Sequence, residues 1–303
     1  MGNFIQNKLG SRFRRIITNT PDGNPPWLAQ VAEGNGVGLF SPQDAPWIVH
    51  GDLATLIGGI RALLVQALHP GSLAGVADHS RYEQDPLGRL AGTTKWLTVT
   101  TFGSLEAIAH EAKRVNAMHT KVTGTFVDAN GELSEYRAQN IDLLLWVHSA
   151  FTDSFLATHL AYSKKPIPGG ADAYVALWSK SVEPLGLSKC PMSYAQLQDT
   201  FNQFSDSGKL TVTDKTLSVI GFIKHPPLSR AARIVYALLF QAALVTLPKH
   251  FQDQLQLRPW PQRIVKPATR LLLRLMQLAI GKSSPLEDAA RERLSRATSP
   301  TLN

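Results

Sequence analysis

The chain has 303 residues, of which 44% are hydrophobic and 18% charged, and it contains one cysteine, Cys190. That balance excludes a disordered chain, a disulfide scaffold and a zinc centre built from several thiolates. The formal net charge of +8 suits an anionic surface or an acidic substrate, but no aromatic residues interleave with a central basic stripe, so nucleic acid is not an expected partner.

Residues 1–40 read as a basic arm followed by a loop. Arg12, Arg14 and Arg15 lie in this arm, and the residues after Arg15 supply no apolar signal-peptide core. Gly34-Asn35-Gly36-Val37-Gly38 has the glycine density of a nucleotide loop, but no apolar strand precedes it, so it reads as a turn. The main domain is expected over 41–282, with a polar tail over 283–303.

Leu53–Leu68 has helical periodicity, with Leu53, Leu56, Ile57, Ile60, Leu63, Leu64 and Leu68 on or near one face. Pro70 biases the chain out of helix at His69. This places His69 at a helix C-terminus, where the dipole favours an imidazolium. Val76–Arg89, with Asp85-Pro86, reads as a loop or broken helix, and Leu90–Thr101 is open between helix and extended chain. Leu105–Val122 is a second helix, with Leu105, Ile108, Ala112, Val115 and Val122 inward and Gly124 ending it. Asp128-Ala129-Asn130-Gly131 is a turn.

Ile141–Leu156 follows as a helix buried on most of its surface. His148 shares a face with Ile141, Leu144, Leu145, Phe151, Thr152 and Phe155. Tyr174–Val182 and Tyr194–Ser205 are amphipathic, and Ala231–Leu247 is a core helix. Pro267–Ile280 carries a basic ridge at Lys266, Arg270 and Arg274. No alternating strand series occurs, so the expected class is all-α. No segment has the roughly 18–20 apolar residues needed to cross a bilayer. The expectation is a cytoplasmic chain with peripheral membrane contact through the basic amphipathic helix at 263–280.

An imidazole inside an apolar face must replace its lost water with a hydrogen bond, a metal or a cofactor. For His148 a core histidine bonded to a carbonyl is the plainest solution, and a haem ligand is another. Arg61, His69, Arg114 and His119 lie on neighbouring apolar helices. Arg114 and His119 are five residues apart, about 140° around a regular helix, so they do not face one pocket centre. HExxH, P-loop, CxxC and GxSxG motifs are absent; His110-Glu111 starts the first of these, but Arg114 stands where it needs histidine. Cys190 reads as an inert cysteine in a loop.

Several pieces in order carry a family resemblance. They are Trp47–Asp52, Gly58–Pro70, Ala74–Ser80, Arg114–Gly124, and Tyr136-Arg137-Ala138 leading to Leu144–Ser149. The chain resembles the DUF2236 family, the oxygenase family of MpaB-type enzymes and the latex clearing proteins, or rubber oxygenases. The resemblance implies a globin-related helical bundle enclosing one haem b, with extra terminal helices. It implies His148 as the proximal iron ligand and Arg114 as a distal arginine that stabilises charge developing on dioxygen. His119 is a second distal candidate, and Arg61 and His69 occupy family motif positions as candidates for cofactor binding. Rubber oxygenases place lysine and threonine three and four residues after the distal arginine. Ala117 and Met118 stand there in this chain, so the resemblance leaves a lysine-capped state and polyisoprene cleavage open.

The expected function is therefore a haem b-dependent oxygenase acting with dioxygen on an apolar substrate of isoprenoid or lipid type. Two alternatives differ in class. One is a non-haem metal-dependent hydrolase using His69, His79 and Asp78 or Asp85. The other is a non-catalytic haem or lipid carrier.

Overall fold

A computed structural model describes residues 24–79, 86–281 and 284–298. Arg12, Arg14, Arg15, Asp85 and Lys282 lie outside the described residues. Among those described, fourteen helices and one two-stranded sheet make an all-α bundle, as the periodicities predict. None of these helices is long and apolar enough to cross a membrane.

The first six helices are α1 (Leu28–Ala32), α2 (Ala45–His50), α3 (Ala54–Gln66), α4 (Pro70–His79), α5 (Pro86–Phe102) and α6 (Leu105–His119). A hairpin of β1 (Thr123–Val127) and β2 (Leu133–Arg137) then leads into α7 (Ile141–Tyr162). Next come α8 (Gly170–Trp178), a 3-10 turn at Ser179–Leu185, α9 (Tyr194–Asp206), α10 (Asp214–Lys224) and α11 (Arg230–Leu244). The chain closes with α12 (Lys249–Gln254), α13 (Gln262–Ile280) and α14 (Pro285–Thr298).

The core is built on α3 and α7, which share the most extensive helix contact among the described residues. They run antiparallel: Gly58 meets Phe155 and Thr158, Arg61 meets Ser154, and the Gln66 carbonyl accepts from Trp146 Nε1 at 3.2 Å. Gly58 makes the close crossing feasible, since a Cβ there would lie 2.6 Å from the Phe155 ring. α7 begins where the Asn140 side chain accepts from the Asp142 N–H, and it stays apolar for six turns, so neighbours cover it on most sides. Phe201 and Phe204 of α9 pack on Trp146, with ring centroids 5.5 and 5.0 Å away. Tyr162 donates to the Ala242 carbonyl at 2.8 Å and ties α7 to α11.

Three local readings need correction. Pro70 does break the chain at His69, but it is also the first residue of α4, a position that needs no N–H. His69 thus caps the start of α4: its carbonyl accepts from Leu73 N–H at 2.9 Å and its Nδ1 from Gly71 N–H at 3.2 Å. Burial pushes its pKa down to about 4, so the ring is neutral and the expected imidazolium is not present. The third correction is the hairpin, with Thr125 opposite Glu135, which the all-helical reading did not contain. Its strands are five residues long, and the turn between them is the Asp128–Gly131 turn, where Asp128 Oδ1 accepts from Asn130 and Glu132 N–H groups.

The polar stretch beyond 282 contains α14, whose Arg293 is fully buried. Its guanidinium donates to the carbonyls of Gly36, at 3.1 Å, and Val31. The glycine-rich stretch at 34–38 is therefore a seat for this arginine.

Candidate functional site around His148

His148 lies in the second turn of α7 and is 5% exposed. Burial alone lowers its pKa to about 4, so the imidazole is neutral near pH 7 and keeps a lone pair. Its one hydrogen-bond partner among the described residues is Thr152 Oγ1, 3.4 Å from Nε2. The Thr152 hydroxyl already donates its proton to the His148 carbonyl at 2.7 Å. It can therefore only accept from Nε2, and weakly at that distance.

The helix face that carries His148 is closed at both ends. One turn earlier, Leu144 packs with Val182 of the 3-10 turn and with Leu187. Two turns later, Phe155 packs on the His50 ring, with centroids 5.2 Å apart. His50 itself sits between Thr101 Oγ1, 2.8 Å from Nδ1, and Tyr174 Oη, 3.0 Å from Nε2. Thr101 donates its proton to the Leu97 carbonyl, so His50 Nδ1 is the donor to Thr101 and Nε2 accepts from Tyr174. Burial, with a smaller contribution from His159, drives the His50 pKa down to about 3.

α6 packs on α5 and on the 3-10 turn, where Asn116 Nδ2 donates to the Pro184 carbonyl at 3.0 Å. On α6, Glu111 is fully buried and receives two cations. Arg114 donates through Nε, 3.0 Å from both carboxylate oxygens, and through Nη2, 2.6 Å from Oε1; Lys95 Nζ lies 3.1 Å from Oε2. Arg114 is 40% exposed, and its Nη1 has no partner among the described residues. His119 is the last residue of α6 and is half-buried.

Of these residues, His148 is the one suited to hold a haem. The donor set offers a buried neutral imidazole with an uncommitted lone pair, which is the form that ligates haem iron. Among the described residues, five buried hydroxyl oxygens have no hydrogen-bond partner, on Ser72, Thr100, Ser149, Ser181 and Thr269, and of these Ser149 adjoins His148 on α7. Cys190 is no competitor, because burial raises its thiol pKa to about 11.

A family model described as "ER-bound oxygenase mpaB/B'/Rubber oxygenase, catalytic domain" matches residues 47–278. The chain belongs to this oxygenase family. No curated protein and no solved structure matches it.

Within this oxygenase catalytic domain the remaining candidates take different places. Arg61 is 2% exposed, and its donors are engaged by Asp153 Oδ2 at 2.6 Å, Ser154 Oγ at 2.8 Å and the Thr246 carbonyl at 3.3 Å. Asp153 and Ser154 are five and six residues past His148, about 120–140° around α7, so Arg61 grips the far side of that helix. His69 lies among Phe126, Trp146 and Phe204, at the opposite end of the α3–α7 contact from Gly58. Among the described residues, which do not include Asp85, no three histidine, cysteine or acidic groups converge as the hydrolase alternative requires. Asp78 is held by Tyr136 and Lys215, and His79 Nε2 donates to the Thr123 carbonyl at 2.9 Å.

Sequence reasoning passed over two residues of this region. Glu111 was seen only as a failed zinc motif, although its spacing to Arg114 is that of an i,i+3 ion pair. His50 lies in the Trp47–Asp52 motif, but its partner Tyr174 is 124 residues away and no local pattern links them.

Proposed function

We propose that this chain is a haem b-dependent oxygenase acting with dioxygen on an apolar substrate of isoprenoid or lipid type. The observation that carries the reading is the buried, neutral, weakly hydrogen-bonded imidazole of His148 in a chain of an oxygenase family. In this reading His148 holds the iron through one ring nitrogen, and the haem supplies the dioxygen chemistry.

The chain's own residues do the rest. The apolar face from Leu144 to Phe155 excludes water. Glu111 fixes the Arg114 guanidinium through Nε and Nη2, which leaves Nη1 to meet negative charge developing on dioxygen. His119 is the second distal candidate, but it lies about 140° around the same helix from Arg114, so the two would not meet one point. Arg61 and His69 act through α3 and α7, setting where α7 presents His148. The catalytic unit is residues 41–282.

The test is an absorption spectrum of the purified protein, as isolated and after dithionite, beside His148→Ala. A Soret band that is lost or shifted in the variant, and recovers with added imidazole, is the expected result. Wild-type protein without a Soret band, even when haem is supplied during expression, overturns the reading. A haem spectrum without oxygen uptake on any apolar substrate would make the chain a carrier instead.

A further inference from the structure

The helix α13 combines two features that a solvated surface helix does not. First, it lies in a stretch without acidic residues. None occurs between Asp253 and Glu287, while Arg258, Arg263, Lys266, Arg270, Arg274 and Lys282 all do. Second, its outward face is apolar. Ile264, Leu271, Leu275 and Leu278 are 56%, 58%, 56% and 68% exposed. Their spacing puts them within an arc of about 60°. Val265, Leu273 and Met276 point the other way, into the core, so the exposed stripe is a second apolar face and not the edge of the buried one.

Arg263, Arg270 and Arg274 run along one flank of this stripe, all exposed. Arg263 and Arg274 have no ion-pair or hydrogen-bond partner among the described residues. Arg270 donates through Nε and Nη2 to the Ala161 carbonyl, at 3.1 and 2.7 Å. That bond brings the C-terminal end of α7 to the same flank, with Leu160, 60% exposed, and the lysines at 164 and 165 just beyond it. Trp260, 51% exposed, stands at the start of α13, anchored by its N–H to Gln241 Oε1 at 2.8 Å. Tryptophan at one end, leucines along the face and arginines on the flank is the chemistry of a helix lying in a lipid interface.

We propose that α13 docks this protein onto an anionic phospholipid surface. Ile264, Leu271 and Leu275 enter the acyl boundary, and Arg263 and Arg274 meet headgroup phosphates. The charge complementarity selects lipid over a second copy of this chain, because a second α13 carries no acidic residue to meet Arg263 and Arg274, whereas headgroup phosphates supply that charge. The inference does not depend on haem, and its readout is the same with or without turnover.

The experiment is cosedimentation of the full chain with phosphatidylcholine vesicles, with and without phosphatidylserine, at low and high salt. Wild type is expected to bind the phosphatidylserine vesicles, to release at high salt and to ignore pure phosphatidylcholine. Neutralising two exposed arginines, Arg263→Gln with Arg274→Gln, should weaken binding about 25-fold, from about fivefold per charge. Leu271→Ser with Leu275→Ser should also abolish pelleting while far-UV circular dichroism stays unchanged. Wild type that stays in the supernatant overturns the proposal, as do variants that bind like wild type. A wild-type dimer that the leucine variant turns into monomers, without vesicle binding, overturns it in favour of a self-association face.

Discussion

Glu111 grips Arg114 from one helical turn away, with Nη2 2.6 Å from Oε1, and the carboxylate is buried while the guanidinium is 40% exposed. The buried partner therefore sets the position of the exposed one. Glu111→Gln keeps the shape but leaves Lys95 and Arg114 without their countercharge, and it should cost about 1–3 kcal/mol in urea unfolding. Arg114→Ala leaves Glu111 its Lys95 contact at 3.1 Å and should cost less. Its effect should fall on turnover instead. Loss of one preorganised donor lowers rates by about 100- to 1000-fold, so oxygen uptake should collapse while the haem-to-protein ratio stays near that of wild type. Loss of haem in Arg114→Ala would make the arginine a structural or cofactor-binding residue.

Arg61 and Asp153 form a buried ion pair, 2.6 Å apart, that joins α3 to α7 five residues from His148. Gln198 Nε2 also donates to Asp153, at 3.2 Å. Removing one partner strands the other charge in the core, so Arg61→Met or Asp153→Leu alone should cost about 3–5 kcal/mol. The double variant should recover much of that loss, because no unpaired charge remains. Chemical unfolding of the four proteins in a double-mutant cycle measures the coupling, and additive costs would refute the pairing.

The parts of the fold that could be read in the sequence are those carried by long apolar periodicity. The helices over Leu53–Leu68, Leu105–Val122 and Ile141–Leu156 appear as α3, α6 and α7, with ends shifted by a few residues. The hairpin escaped because its strands are short and lie largely in solvent: β2, Leu133–Arg137, exposes Leu133, Glu135 and Arg137 and buries Tyr136 alone. The burial of His148 was legible because an imidazole in an apolar face stands out locally. The protonation of His69 was misread because the dipole argument is local, whereas the packing of Phe126, Trp146 and Phe204 around the ring is tertiary. The partnership of Arg61 with Asp153 spans two helices and could be seen only once they were packed together.

Four histidines are buried with their pKa values lowered, His50, His69, His148 and His159, and the three lowered furthest set the pH dependence of stability. His50 is lowered to about 3, and His69 and His148 to about 4, each chiefly by burial, against an ordinary value of 6.5. Between pH 6.5 and 4 the unfolded chain takes up protons at these positions that the native state refuses. Stability is therefore complete above pH 6.5 and is lost as pH falls through this window, with a slope approaching ~4 kcal/mol per pH unit if all three contribute. The urea midpoint should fall steadily from pH 7 to pH 4.5. A flat midpoint over that range would mean that these imidazoles reach solvent.

Two adjacent glycines of α3 separate packing from helix propensity. At Gly58 a Cβ would lie 2.6 Å from Phe155 Cδ1, 2.9 Å from Thr158 Oγ1 and 3.2 Å from the Phe155 backbone, while at Gly59 nothing lies within 4 Å. Both positions are helical, so alanine gains about 0.5–1 kcal/mol of backbone preference at either. At Gly59 that gain is unopposed, and Gly59→Ala should raise the melting temperature. At Gly58 the new methyl group pushes α7 away at Phe155, seven residues from His148 on the same face, and overpacking costs of about 1–3 kcal/mol exceed the gain. Gly58→Ala should therefore lower the melting temperature. In a haem-loaded sample it should also disturb the Soret band, which Gly59→Ala leaves unchanged. Equal behaviour of the two variants would show that α3 and α7 do not cross closely at Gly58.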